Sequence, residues 1–265
     1  MKKNNYICAI LTDFGNKDHY VSSMKGVLLT INPHIKIIDI THEINPQNII
    51  QSSFFLSQVW DYFPENTIFL CVIDPGVGTE RKRIIGKIGN RYFVGPDNGI
   101  ISILMENKKN VPKSFYYIEN KKYFLNNISK TFEGRDIFAP SAGYLSLGEK
   151  LENFGRKCIN PIVKNYLDYE RKNNILIAKI LNIDIFGNVI TNIPCNIIKN
   201  VKKIEIEVRK YKKTLKVVKT FGEVKTGEIL SYIGSSNFLE FGINCGNFAE
   251  KFDISIGDTI KIILL

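Results

Sequence analysis

The stretch "TIFLCVIDPGVGTER", residues 67–81, decides the fold of the first half of the chain. Its opening, residues 67–73, is apolar apart from Thr67. A strand without polar alternation is typical of a parallel sheet that is buried on both faces. Asp74 follows directly, and the glycines of "PGVG" then turn the chain. We therefore predict a buried strand whose carboxyl end carries a carboxylate and a glycine-rich loop.

The elements around this strand predict an α/β domain. Two further apolar strands precede it, each followed by a segment of helical spacing that ends at or before a proline. The predicted elements are strands at 6–11, 35–40 and 67–73, helices at 20–31, 47–62 and 137–147, and a hairpin at 84–95 that turns at Gly89–Asn90. Strands that alternate with helices indicate a mostly parallel sheet covered on both faces.

The pattern changes after Pro161. The polar stretch "KNYLDYERKN" has the composition of a linker, and short strands separated by glycine-containing turns follow it without a predicted helix. These strands are predicted at 175–183, 203–210, 213–219, 228–233, 238–241 and 259–264. We therefore expect an α/β catalytic domain at 1–163, a linker at 164–173 and an all-β antiparallel, barrel-like domain at 174–265.

Charge does not point to nucleic acid, although the formal net charge of the 265 residues is +10. The lysines are spread along the chain among asparagine and isoleucine, which indicates compositional drift. The most basic stretch, 199–219, alternates polar and apolar residues as an exposed hairpin does. We therefore expect no nucleic-acid partner, since such binding requires a basic face or stripe.

Cysteine and histidine content argues against a metal site. The five cysteines are odd in number and form no CxxC pair, and the histidines are His19, His34 and His42. Acid–base chemistry beyond residue 42 must therefore use other side chains. No apolar run reaches the roughly 18 residues of a membrane span, and Asp13 interrupts the first one. We expect a cytoplasmic protein with no disulfide framework, metal or membrane partner.

Polar residues follow the predicted strands at the edge where open parallel sheets bind ligands. Asp13 follows the first strand, Thr41, His42 and Glu43 follow the second, and Asp74 follows the third. Thr41 and Glu43 can equally serve as cap and turn formers, and His42 is best interpreted as a hydrogen-bonded loop histidine. Asp13 and Asp74 are the stronger candidates for binding or catalysis.

A second charged segment, "TFEGRDIFAP" at 131–140, places Glu133, Arg135 and Asp136 around Gly134. Charged side chains are seldom fully buried unless they are paired. The segment is therefore either a solvated turn or a charged cluster inside a pocket, and the local pattern leaves both open.

Seven motifs in chain order closely resemble those of the S-adenosyl-L-methionine hydrolase (adenosine-forming) family, the hydroxide adenosyltransferases related to the bacterial fluorinase. The motifs are "LTDFG", "NP..KIIDITHEI.PQ", "VIDPGVGTER", "FVGPDNG", "TF.GRDIFAP", "D.FGNVITNI" and "IGSSNFLE". The resemblance implies that water or hydroxide attacks the ribose C5′ and releases adenosine and methionine. S-adenosylmethionine is then the substrate, and no cofactor is implied. It also implies a homotrimer in which the substrate lies between one subunit's N-terminal domain and a neighbour's C-terminal domain.

The resemblance assigns roles to residues in the first half of the chain. Asp13 matches the carboxylate that binds the ribose hydroxyls, and a carboxylate can accept from both of these groups. Asp18 and Tyr20 fall near the methionine-binding segment. Asp74 and Arg81 match two members of the family's catalytic Asp–Arg–His set.

In the second half, the resemblance assigns five residues to the methionine moiety and the adenine: Asp184, Asn188, Phe221, Ser235 and Ser236. From the residues alone, Asn188 could read an adenine edge or close a turn. Phe221 could stack on a base or belong to the core.

Glu133 is a departure, because the family pattern there resembles "TFHGRD". If Glu133 takes the place of the catalytic histidine, it lies near Asp74 and Arg81, where a second carboxylate raises one pKa and an arginine lowers both. A raised pKa would make Glu133 a general base, and Glu133→His would then keep activity. Alternatively, Glu133 pairs with Arg135 or another cation on a solvated loop.

Three other functions fit part of the pattern. Adenosyl transfer to halide is one, although a halide beside the Asp74 carboxylate would be destabilised. A non-catalytic S-adenosylmethionine or adenosine binder is the second, allowed by the loss of the histidine, and a nucleic-acid-binding module is the third. Release of adenosine and methionine would distinguish the hydrolase from all three.

Overall fold

The computed structural model describes residues 6–265, and the chain divides into two compact units, Met1–Lys164 and Asn165–Leu265. Each unit has a sheet and a hydrophobic core of its own. No helix in the described part of the chain is long and apolar enough to cross a membrane.

The first unit is built on a mixed sheet of seven strands within the described residues, in the order β2-β1-β3-β5-β4-β6-β7. The strands are β1 Ile7–Thr12, β2 Lys36–Thr41, β3 Ile68–Val72, β4 Arg83–Ile88, β5 Arg91–Pro96, β6 Lys113–Tyr117 and β7 Lys157–Cys158. Pairing is parallel from β2 to β5 and antiparallel from β5 to β7. The predicted α/β domain is confirmed, with an antiparallel edge added to its parallel strands.

Helices cover both faces of this sheet: α1 Tyr20–Ile31, α2 Ile49–Val59, α3 Ser102–Asn107 and α4 Ala139–Ser146. All five residues of β3 are buried, as its composition predicts. Leu70 packs in the cluster that contains residues of α1 and α4, whereas Phe69 packs with residues of α2 and α3. Because β3 is anchored on both faces, the loop that follows it starts from a fixed position.

The second unit is a closed barrel of seven strands, to which β8 adds an eighth along β9. Its strands are β8 Glu170–Lys172, β9 Ile175–Ile183, β10 Val189–Pro194, β11 Lys203–Val208, β12 Tyr211–Val218, β13 Ile229–Ile233, β14 Phe238–Ile243 and β15 Thr259–Leu264. Pairing of β10 with β9 closes the ring. The pairs are antiparallel except β12 with β13, so the predicted barrel-like domain is confirmed.

Three features of this unit differ from the sequence prediction. The polar stretch 164–173 contains β8. The strand β10 was not predicted, because Thr191 and Asn192 are polar although both are fully buried. The expectation of no helix was wrong, since the short helices α5 Cys195–Ile198 and α6 Phe248–Phe252 are present. Helices of four or five residues are too short to show a 3.6-residue period.

Candidate active site

A cavity of about 320 Å³ opens in the first unit where the loops after β1 and β3 meet the segment before α4. Its lining residues are Asp13, Phe14, Tyr20, Pro46, Gln47, Val72, Asp74, Val77, Thr131, Phe132, Glu133 and Gly134. The sequence-predicted residues Asp13, Tyr20, Asp74 and Glu133 are therefore brought together. Asp18 is exposed and lies outside this lining.

Asp13 is held at the cavity by the loop that precedes α2. The backbone N–H of Gln47 donates to Oδ2 of Asp13 at 2.7 Å, and Gln47 has a left-handed φ of 64°. Burial raises the pKa of Asp13, and the negative charge of Asp74 also raises it. Backbone hydrogen bonds lower this pKa but do not outweigh the two effects. This carboxylate therefore loses its charge at a higher pH than an ordinary aspartate does.

Asp74 and Arg81 form a bidentate ion pair across the glycine-rich turn. Nε of Arg81 donates to Oδ1 of Asp74 at 2.8 Å, and Nη2 donates to Oδ2. Gly78 lets the turn approach the segment before α4, because its φ is +76° and a Cβ there would lie 2.6 Å from the Lys130 carbonyl oxygen. The Arg81 guanidinium also lies over the Phe138 ring, with 5.3 Å to the centroid.

Glu133 lies in a charged cluster and not on a solvated turn. Its side chain is only 4% exposed, and it accepts hydrogen bonds from Nη2 of Arg81 and from Nε and Nη2 of Arg83. The alternative pairing with Arg135 is wrong, since Arg135 donates to Asp136 at 2.6 Å. The "TFEGRD" segment thus takes part in two separate charged groups, Glu133 with Arg81 and Arg83, and Arg135 with Asp136. Of these residues of the segment, Glu133 lines the cavity.

The two arginines decide the titration of Glu133. Burial alone would raise the pKa of Glu133, but hydrogen bonds and charges from Arg83 and Arg81 outweigh burial and lower it. Glu133 would need a raised pKa to act as a general base near neutrality, and its pKa is lowered instead. Glu133 stays ionised there.

A π-helical turn, Gly134–Phe138, sets the position of Glu133 before α4 begins. Oδ2 of Asp136 accepts from the Ser129 N–H at 2.7 Å and closes the loop. A Cβ at Gly134 would lie 3.2 Å from Sδ of Met24, so the turn packs closely on α1. These contacts fix the backbone on which Glu133 lies.

Arg83, which donates to Glu133, was not predicted from the sequence. It begins β4, two residues after Arg81, and side chains two apart on an extended chain point to the same side. The available signal was this spacing, together with a carboxylate in the place of the family's histidine.

The polar residues at the end of β2 and directly after it make structural contacts, which was the expectation for His42 and one of two open alternatives for Thr41 and Glu43. His42 is buried, its Nδ1 lies 2.8 Å from Oγ1 of Thr12, and its backbone oxygen accepts from Gly15 N–H at 2.8 Å. Oγ1 of Thr41 accepts from the Glu43 N–H at 3.0 Å. These groups brace the loop that carries Asp13.

A second cavity, of about 520 Å³, lies in the barrel unit. Its lining residues are Phe186, Asn188, Phe221, Ile243, Cys245, Gly246 and Asn247. Asp184 accepts from the backbone N–H and from Nδ2 of Asn188, both at 2.8 Å, which fixes the amide in this wall. The Phe221 ring lies 5.0 Å from that of Tyr232. Phe221 therefore belongs to a cavity wall and not to the closed core.

The two predicted serines lie elsewhere in this unit. Ser235 is exposed, and Oγ of Ser236 donates to the buried Glu240 at 2.9 Å. Both lie outside the lining of the second cavity. In the described part of the chain, no group of three His, Cys, Asp or Glu side chains could hold a metal ion.

Comparison with known proteins matches each unit of the chain to a domain of one family. Residues 8–155 match the SAM hydroxide adenosyltransferase N-terminal domain, and residues 178–261 match the C-terminal domain of the same family. The chain is 31% identical to an (R)-S-adenosyl-L-methionine hydrolase of Salinispora tropica, over 95% of each chain. It is 33% identical to one of Methanocaldococcus jannaschii, over 97% of this chain and 95% of the relative. A fluorinase of an Actinoplanes species is 23% identical over 97% of each chain.

A solved structure of an uncharacterized conserved protein from Thermotoga maritima superimposes with a TM-score of 0.89. It is 39% identical to this chain, and the match covers 97% of this chain and 99% of that one. Both matched domains and the nearly full-length hydrolase relatives point the same way: this chain belongs to the SAM hydroxide adenosyltransferase family.

Proposed function

We propose that this protein hydrolyses (R)-S-adenosyl-L-methionine to adenosine and L-methionine. The oxygen of water forms a bond to the ribose C5′ while the C5′–S bond breaks. The electron pair of that bond stays on sulfur, so that the sulfonium becomes the neutral thioether of methionine, and one proton is released. The observation that carries the proposal is the buried ion pair of Asp74 and Arg81, with Asp74 and Asp13 on the wall of one cavity.

Asp74 and Arg81 orient the attacking water. Both oxygens of Asp74 accept from Arg81, but a carboxylate oxygen has further acceptor capacity and can also take a hydrogen from water. As the water passes a proton to solvent and forms the bond to C5′, the guanidinium stabilises the hydroxide character of its oxygen. Alignment of this oxygen with the C5′–S bond supplies much of the rate. Opposite charges neutralise each other in this reaction, so exclusion of bulk water favours it.

Asp13 binds the ribose in this proposal, and the barrel unit binds the rest of the substrate. Asp13 accepts from the vicinal hydroxyls of the sugar. Asn188 and Phe221, on the wall of the second cavity, bind the adenine by hydrogen bonding and stacking. Asp184 holds Asn188 in place. The remaining family assignments are Asp18 and Tyr20, near the methionine moiety, and Ser235 and Ser236, which contact the methionine moiety or the adenine.

We also propose a homotrimer in which the first cavity of one subunit and the second cavity of a neighbour share one substrate molecule. The loop beside the second cavity carries two exposed apolar side chains, Ile185 and Phe186, which favours burial against another chain. A cytoplasmic location and catalysis without metal or cofactor remain predictions from the sequence.

The test is incubation of the purified protein with each sulfonium epimer separately, followed by chromatography for adenosine and methionine. We expect equal amounts of both products from the (R)-epimer, unchanged by EDTA. Asp74→Asn is the matched catalytic control. A ligand-induced rise in thermal stability without product would indicate a binding protein instead. Production of S-adenosylhomocysteine, or of a 5′-halogenated adenosine when halide is supplied, would contradict the proposal.

A further inference from the structure

We propose that Arg83 is a positioning residue which acts with Glu133 as one charge-matched pair and holds Arg81 for the attacking water. This inference rests on the proposed function. It assigns to Glu133 a fixed negative charge in place of a proton-accepting role.

The hydrogen bonds form one continuous chain from Asp74 to Arg83. Nη2 of Arg81 donates to both Asp74 and Glu133. Oε2 of Glu133 accepts from Arg81 and also from Nε of Arg83 at 2.9 Å, while Oε1 accepts from Nη2 of Arg83. The Glu133 carboxylate therefore joins the two guanidiniums, and a change at Arg83 reaches Arg81 through it.

Charge balance gives Arg83 its importance. Asp74 and Glu133 carry two negative charges at side-chain exposures of 6% and 4%, and Arg81 alone can neutralise only one of them. Loss of one partner leaves a buried charge uncompensated, which is strongly unfavourable. An excess negative charge beside the reacting oxygen would also oppose the hydroxide character that this oxygen acquires.

The same contacts orient the remaining donor of Arg81. Its Nε and Nη2 are engaged by carboxylates, whereas Nη1 is buried and has no hydrogen-bond partner in residues 6–265. Because the guanidinium is planar and rigid, holding its Nε and Nη2 also fixes the direction of its Nη1. Nη1 is therefore the donor that Arg81 can offer to a reacting oxygen, and Glu133 with Arg83 prevents the group from rotating away.

The test is a double-mutant cycle in hydrolysis, with Arg83→Gln, Glu133→Gln and the double variant. Each single substitution breaks charge-assisted bonds and should lower kcat by about tenfold or more, with little change in KM. The double variant restores charge balance, so its kcat should fall no further than that of the less active single variant. The exposed pair of Arg156 and Glu119 supplies matched controls, Arg156→Gln and Glu119→Gln, which should leave kcat unchanged.

The pH–rate profile provides a readout that a merely structural role would not move. The charged groups that face Glu133 are Arg81 and Arg83, and Asp74 and Glu80 also act on Arg83. Removal of the Arg83 charge should raise the pKa of Glu133, so the acid limb of kcat should move to higher pH in Arg83→Gln. Arg83→Lys keeps the charge but not the two-pronged donor geometry of the guanidinium. The pH of its acid limb should therefore lie between those of the wild type and Arg83→Gln.

The outcomes separate this inference from the proposed function. A wild type that releases no adenosine refutes the hydrolase itself. If the wild type is active but the kcat losses of the two single variants multiply in the double variant, the charge-matched pair is refuted and the hydrolase is not. The same holds if the acid limb of Arg83→Gln lies at the same pH as that of the wild type. If Arg83→Gln does not fold, as judged by circular dichroism, then Arg83→Lys is used to test the positioning role of Arg83. Wild-type kcat and pH profile in that variant would contradict the positioning role.

Discussion

Asp74 and Arg81 are seven residues apart and form a two-point ion pair whose side chains are 6% and 10% exposed. The glycine-rich turn between them makes this possible, since it reverses the chain within the intervening residues. Charge-assisted bidentate pairs are among the stronger hydrogen-bonded contacts in proteins. Because β3 is buried along its whole length, the core of the first unit fixes the point from which the loop with Asp74 begins.

The role given to Asp74 predicts a loss of rate without a loss of binding. Asp74→Asn keeps the size of the side chain but removes the charge that orients water and pairs with Arg81. We expect kcat to fall by about 10²–10⁴-fold with KM nearly unchanged. Asp61→Asn is the control, because Asp61 is an exposed partner of Lys108. A large rise in KM with kcat preserved would assign Asp74 to substrate binding instead.

Asp13 should show the opposite behaviour and a distinctive pH dependence. Asp13→Ala removes charge-assisted bonds to the ribose and should weaken adenosine binding by about 10–100-fold, measured by calorimetry. The pKa of Asp13 is raised by burial, so the carboxylate is protonated as pH falls toward that raised value. Wild-type affinity should therefore decline at a higher pH than an ordinary aspartate would produce. Asp13→Asn should lack this decline, and equal dependence in both proteins would assign it to another group.

The proposed trimer predicts that two inactive variants restore one another. Asp74→Asn damages the first cavity, and Asn188→Ala damages the second. Co-assembly in equal amounts should recover about a quarter of wild-type activity, since random mixing gives that share of interfaces with two intact halves. Asp74→Asn mixed with Asp13→Ala should recover nothing, because both changes lie in the same cavity. Active monomers by light scattering, or mixed oligomers without recovered activity, would contradict the shared site.

The elements that sequence could predict are those with a continuous hydrophobic pattern. The predicted helix 20–31 matches α1, and the strand predicted at 67–73 contains β3. The strand β10 was missed because its buried polar groups are satisfied by tertiary contacts. Oδ1 of Asn192 accepts from the Lys179 N–H, and Oγ1 of Thr191 donates to the Leu239 oxygen. A local pattern cannot show partners that lie on other strands.

The site shows the same division between local and tertiary information. Asp13 and Asp74 could be predicted because each lies just beyond the carboxyl end of an apolar strand. The motif located Glu133, but neither its burial nor its partners followed from the segment itself. Arg83 is 50 residues away from Glu133 in the sequence. The direction of the Glu133 pKa depends on that contact, so the expected general base could not be tested until the fold placed two arginines beside it.

The charge-matched pair changes the expected outcome of restoring histidine. Simple resemblance predicts that Glu133→His keeps or raises activity, but this substitution leaves Arg81 and Arg83 without the carboxylate that joins them. We therefore expect kcat of Glu133→His to fall by about tenfold or more, because charge-assisted hydrogen bonds are lost. Addition of Arg83→Gln removes the excess positive charge and should raise kcat above that of Glu133→His alone.

The pH–rate profile of this double variant should gain a limb at about pH 6.5, where an unperturbed histidine titrates. Its measurement beside Arg83→Gln alone shows whether the recovery depends on the new imidazole. If Glu133→His is as active as wild type, or if Arg83→Gln lowers its rate further, then Arg83 does not balance the charge of Glu133. Asp74 and Arg81 would then orient the water without help from the second arginine.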